Sequence, residues 1–131
     1  MTSGPTFRRR LAAMASIACG AFWALAFAAT HIPAEKVPHT GLSDRTLHFA
    51  GYFLLAGLLT ASLAGFGVRP LRRAAAVILA MMAYGALDEL TQAVVNRGVS
   101  FGDWLADSLG AIAAVAAAGL VALALDRRSA Q

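Results

Sequence analysis

Tyr84-Gly85-Ala86-Leu87-Asp88-Glu89-Leu90-Thr91-Gln92 sets two adjacent carboxylates inside an otherwise apolar segment covering about residues 74–95. A segment of that length crosses a bilayer at roughly 20 residues per span. A carboxylate held in hydrocarbon costs several kcal/mol unless it is paired, protonated or wetted. Tyr84, Asp88 and Gln92 recur every four residues and so share one helix face, with Glu89 about 100° around from Asp88 and next to Gln92. Polar groups this expensive mark a functional site by default; the competing reading is a buried network that only locks helices together.

Composition points the same way. The 131 residues are 59% hydrophobic and 14% charged, with a mean hydropathy of +0.66. A soluble domain is about 45–50% apolar and about 25% charged. The net charge of +4 raises the question of nucleic acid. Most arginines, however, stand in short clusters flanking apolar runs, as membrane topology requires, and no basic stretch is interleaved with aromatics. Cys19 is the single cysteine, so an internal disulfide is excluded and packing is its expected role.

Working outward, three further apolar runs appear. The expected spans are residues 11–30, 47–66, 74–95 and 104–125, giving an all-α, four-helix membrane bundle in a single domain, 1–131. The first run follows Arg8, Arg9 and Arg10. Ala26-Phe27-Ala28 looks like a signal cleavage site, but the run exceeds the usual 7–15-residue apolar core, so a retained helix is expected. Small residues recur at Ala12, Ser16, Gly20, Ala24 and Ala28, at Gly57, Ala61 and Gly65, and at Ala106, Gly110, Ala114 and Ala118, faces suited to close helix packing. Ser43 is a candidate cap for the second span, and Ser100 or Asp103 for the fourth. Asn96-Arg97-Gly98 reads as a turn.

Three arginines precede span one, three lie between spans two and three, and two follow span four. Short loops rich in Lys and Arg stay cytoplasmic, so both termini are expected in the cytoplasm and the first and third loops outside. The remaining charges then gather near the outer face. Asp44, Arg45 and His48 open span two, Asp88, Glu89 and Gln92 lie in the outer half of span three, Arg97 follows it, and Asp103 and Asp107 open span four. Asp44, His48 and Tyr52 form one stripe if their helix begins early. His31 and His39 read as loop residues, and Trp104 as an interfacial anchor.

These residues also resemble a family. Asp44-Arg45-x-x-His48-Phe49-x-x-Tyr52 resembles the D-K-x-x-H-F-x-x-Y opening of VanZ-like membrane proteins. Tyr84-Gly85-x-x-Asp88-Glu89-x-x-Gln92, then Arg97, then Asp103-x-x-x-Asp107-x-x-Gly110, resembles that family's second block. Arg45 stands where the family usually has Lys, and Asp107 where it more often has Asn. The resemblance covers about residues 40–115. It implies a small integral membrane protein of the bacterial inner membrane and cell envelope, in a family whose founding member is associated with teicoplanin (antibiotic) resistance.

Arginine forks match phosphate and carboxylate, so Arg45 and Arg97 suit an anionic head group. His48 exchanges protons near neutral pH. Asp88 and Glu89, side by side and out of bulk water, suit acid/base work on a lipid-linked substrate at the outer leaflet. His48, Asp88 and Glu89 are therefore the candidate catalytic groups. Asp44, Arg45, Tyr52, Gln92, Arg97, Asp103 and Asp107 are the candidate substrate-binding groups. No nucleophilic Ser, Cys or Thr stands beside a base. The histidines lack zinc-helix spacing. His48, Asp88, Glu89 and Asp107 have metal-compatible ligand types, but no metal and no cofactor is assigned. Three functions fit: an enzyme or binding protein for an anionic, lipid-linked envelope precursor or glycopeptide-related ligand; a proton-coupled transporter element; or a structural or assembly protein. Intramembrane charge favours the first, and the scarcity of polar groups toward the cytoplasmic side counts against the second.

Overall fold

The computed structural model describes residues 5–36 and 41–130; Pro38 and His39 of the first loop lie outside the described residues. The described chain is helical throughout: α1 (Pro5–Thr30), α2 (Asp44–Gly65), α3 (Pro70–Gln92) and α4 (Phe101–Ser129), with 3-10 turns at Ala34–Lys36 and Ala93–Val95. All four helices are long and apolar enough to cross a membrane.

The helix starts have local causes. Ser43 holds an extended backbone and its hydroxyl accepts from the Thr46 N–H, so α2 begins at Asp44, earlier than the expected residue 47. Pro70 occupies the first turn of α3, where its missing N–H is harmless and its fixed φ suits the helix, so α3 begins at 70 instead of 74. Ser100 caps α4 by accepting from the Asp103 N–H at 3.2 Å, moving that start from 104 to 101. At the far end of α3, Asn96 adopts a left-handed φ of 57° and closes the turn after Ala93–Val95. Helices α1 and α4 also extend past their apolar runs, through Arg8–Arg10 and to Ser129. Apolar length measures hydrocarbon thickness, whereas a helix runs until its backbone is capped or broken.

The helices alternate in direction. Thr30, Asp44 and Arg97 meet at one end, and Ala12 and Gly65 at the other. Helix α2 is central: it packs most extensively on α4 and then on α1, while α1 and α3 touch little. The α2–α4 approach depends on Gly110, where a Cβ would overlap the Phe49 carbonyl oxygen and come within 3.1 Å of the Phe53 nitrogen. Gly110 and Ala114 are buried between partly buried Ala106 and Ala118, so the expected face of α4 is the packing face. Gly65 similarly admits Ala12, and Ser16 lies 2.6 Å from Ser62 between hydroxyls.

The five-member row on α1 is corrected. Ala12 is buried and Ser16 partly so, but Gly20, Ala24 and Ala28 face outward. Each i+4 step advances about 400°, so four such steps drift well around the helix. The inward stripe instead follows Ala12, Ser16, Cys19, Trp23, Ala26 and Thr30. Leu55, Ala56, Val77, Met81 and Ala111 form a fully buried apolar layer across α2, α3 and α4. Outside it, Ile17, Leu79, Leu90 and Leu120 are among many exposed large side chains, a surface suited to lipid contact.

Candidate functional site

The alternating helices bring the C-terminal ends of α1 and α3 beside the N-terminal ends of α2 and α4. His48, Asp88, Glu89, Gln92 and Asp107 meet there, all at most 5% exposed. Because α2 begins at Asp44, the Asp44–His48–Tyr52 stripe is helical, and it turns His48 and Tyr52 inward.

His48 Nδ1 lies 3.0 Å from Asp107 Oδ1 and 4.0 Å from Glu89 Oε1. The other Glu89 oxygen accepts the Ser100 backbone N–H at 2.7 Å, which ties the α3–α4 connection to the cluster. Gln92 Nε2 donates to Asp88 Oδ2 at 3.1 Å and weakly to Glu89 Oε1 at 3.5 Å. The Thr30 hydroxyl donates to Asp88 Oδ1 at 3.0 Å. Both Asp88 oxygens therefore have donors. Asp107 Oδ2 is fully buried without a hydrogen-bond partner among the described residues, as are the hydroxyls of Tyr52 and Tyr84. The two tyrosine rings stack at 5.7 Å, and Trp23 meets Tyr84 edge-on at 4.8 Å.

The rim differs. One Arg97 nitrogen donates to both Asp44 oxygens, at 2.9 and 3.2 Å, while another donates to the Thr30 carbonyl at 3.2 Å. Arg97 thus bridges the loop after α3 to the starts and ends of α2 and α1. Asp103, partly exposed, brings a carboxylate oxygen close to Asp44 and a His48 ring nitrogen, all within 4.8 Å of one another. Arg45 is the exception among the sequence candidates. It points away from the stripe, is exposed, and lies against the start of α4, where a Cβ on Gly102 would come within 2.9 Å of its Nε. It forms no ion pair among the described residues, whereas Arg97 does.

Several participants were not legible as such in the sequence. His31, expected to be a loop residue, stacks on Phe27 at 3.9 Å, approaches Thr91 Oγ1 at 3.0 Å and lies 3.7 Å from Asp88 Oδ1. Thr30 and Ser100 supply donors to the two span-three carboxylates. Trp104 is half-buried, and its indole N–H donates to the Met82 carbonyl at 3.0 Å, so it joins α4 to α3.

A groove of about 450 Å³ runs between α1 and α2 beside this cluster. Phe22, Leu25, Ala29 and Leu47 supply apolar wall, while His48 and Tyr52 line its polar margin together with Asp44 and Arg97. That size lies within the usual ligand-pocket range of about 300–1,000 Å³. The combination offers hydrocarbon contact, a buried imidazole–carboxylate pair for proton handling and an arginine at the rim. Comparison with protein-family models, curated proteins and solved structures finds no match for this chain.

Proposed function

We propose that this multi-pass membrane protein binds or processes an anionic, lipid-linked envelope molecule at the outer leaflet of the bacterial inner membrane. The observation that carries the reading is the continuity of the apolar α1–α2 groove with the buried His48–Asp107–Glu89 cluster. A lipid tail has an apolar wall to follow, and its head group would arrive where Arg97 stands at the rim and His48 can exchange a proton. The resemblance of the two sequence blocks to VanZ-like proteins supports an envelope role linked to glycopeptide resistance. The arginine bias supports termini in the cytoplasm, so that the cluster faces outward.

A proton-coupled transporter is less well supported. The fully buried apolar layer of Leu55, Ala56, Val77, Met81 and Ala111 lies between the carboxylates and the next buried polar groups, Thr60 and Ser62. A relay through one chain would end at that layer. The assembly reading draws on Asp88, whose two donors join α1 to α3, and accounts for that residue better than for Asp107.

Two measurements test the proposal. Reporter fusions in the first and third loops are expected to score as extracytoplasmic; a cytoplasmic signal at residue 99 overturns the outward site. Lipid profiling of a deletion strain, with and without complementation, is expected to show one anionic lipid-linked species changed in amount, and an unchanged lipid profile counts against it.

A further inference from the structure

The cluster contains more negative charge than its own cations balance. Glu89 and Asp107 are buried to 3% and 0% exposure, and Asp88 lies beside them. Arg97, the arginine of this end that forms an ion pair, is committed to Asp44 at the rim. Asp88 has two donors of its own. Glu89 and Asp107 are left to share one imidazole, which can carry at most one positive charge. Two buried carboxylates with one cationic partner between them are costly in a low-dielectric setting, even with the Ser100 N–H donating to Glu89.

His48 Nδ1, one oxygen of Glu89 and one of Asp107 all lie within 4.8 Å of one another. The closest pair, His48–Asp107, is at 3.0 Å, and His48–Glu89 is at 4.0 Å. Ligand bonds to zinc run about 2.0–2.2 Å, so ligand atoms around one ion must lie within roughly 4.4 Å of each other. Both His48 pairs already fall inside that limit. A separate observation concerns Tyr52, which is 4% exposed and whose hydroxyl has no partner among the described residues. It lies one helical turn after His48 on the same buried side of α2. The second oxygen of Asp107 is likewise unpartnered and offers a bidentate contact.

We propose that His48, Glu89 and Asp107 form a binding site for one divalent first-row transition-metal ion. One imidazole with two carboxylates suits zinc or manganese better than magnesium or calcium, which prefer all-oxygen shells. The ion cancels the two carboxylate charges and leaves the imidazole neutral, removing the imbalance without protonating either acid. Asp88 is a positioning residue: through Gln92, which also reaches Glu89, it orients that ligand. The site goes beyond the lipid-linked reading and does not depend on it, since the ion is expected in protein carrying no lipid substrate. It also gives an anionic head group a reason to approach an otherwise acidic pocket.

The test uses the full chain in detergent, with any affinity tag removed, stripped with EDTA and then equilibrated with zinc chloride or manganese chloride. Elemental analysis after desalting is expected to give one ion per chain for the wild type. Glu89→Gln and Asp107→Asn are expected to lower occupancy at least tenfold, and Glu35→Gln, in the exposed 3-10 turn, to leave it unchanged. Circular dichroism and gel filtration show whether each variant is folded. Should a variant not fold, pulsed electron paramagnetic resonance on manganese-loaded wild type decides, with nitrogen modulation from a bound imidazole as the expected result. No bound ion with either metal overturns the site. Equal occupancy in folded Glu89→Gln and Asp107→Asn, or manganese without imidazole nitrogen, means an adventitious ion only and also overturns it.

Discussion

The two ends of the bundle solve different problems. Toward the chain termini the helices meet through small residues: Ala12 against Gly65 and Ser16 against Ser62, with Gly110 and Ala114 fitting α4 to α2 nearer the middle. In that region side chains are chosen so that backbones approach, and the Thr60 hydroxyl is the buried side-chain polar atom left without a partner among the described residues. At the other end polar and ionisable groups from four helices crowd together. Asp88 is satisfied there, but one oxygen of Asp107 and the hydroxyl of Tyr52 have no partner among the described residues. Membrane helix pairs can associate through packing alone, so a polar cluster is not required to hold the fold. The incompletely paired atoms at the second end therefore point to a ligand more than to adhesion.

That contrast can be broken first at the seam. Gly110→Val places a branched side chain against the Phe49 and Phe53 backbone, which has no flexible end to yield. Overpacking usually costs about 1–3 kcal/mol, and backbone overlap belongs at or above the top of that range. Severe loss of membrane abundance and of thermal stability is the expected outcome. Wild-type stability in Gly110→Val would show that α2 and α4 do not approach as described.

Leu55→Ala comes next, removing the centre of the apolar layer. Large-to-small core changes cost about 2–5 kcal/mol, and this fully buried site belongs toward the lower half because small neighbours at Ala56 and Ala111 allow some collapse. A thermal-melting series on purified protein measures it. The same series sharpens the contrast through Thr30→Val, which keeps shape but removes the donor to Asp88. Interhelical hydrogen bonds in membranes average about 0.6 kcal/mol, so a small but measurable loss is expected. No change at all would assign Asp88 no role in holding α1.

Much of this was legible in the sequence because it depended on local signals. Four apolar runs declared four helices, Ser43 announced its cap, Ser100 was one of two candidate caps with Asp103, and i+4 spacing placed His48 and Tyr52 on one side. The α4 small-residue face was readable too, since it spans only three steps. What was not legible depended on which residues meet across long separations. Thr30 reaches Asp88 across 58 positions and His31 reaches Thr91 across 60. A Thr-His pair at the end of an apolar run carries no signal of such a partner. Arg45 and Arg97 looked equivalent as cations, yet helical phase turned Arg45 toward the α4 start while the α3–α4 connection carried Arg97 onto Asp44.

Arg97→Lys is expected to affect stability less than the preceding changes. An ammonium can still pair with Asp44, and an ion pair this exposed contributes at most about 1 kcal/mol. It loses the planar guanidinium that spans Asp44 and the Thr30 carbonyl together. Function should fall more than abundance if the rim grips an anion, and both should fall together if Arg97 only braces the loop.

Glu89→Gln tests the central claim most directly. It preserves size, keeps an oxygen for the Ser100 N–H and removes only the ionisable group, so the fold should tolerate it or gain slightly. The measurement is an envelope phenotype, such as lipoglycopeptide sensitivity of a deletion strain complemented with the variant, scored at matched membrane abundance. A working site predicts normal abundance with the phenotype of the deletion. Wild-type phenotype at normal abundance would contradict it and leave the polar end as helix-to-helix adhesion.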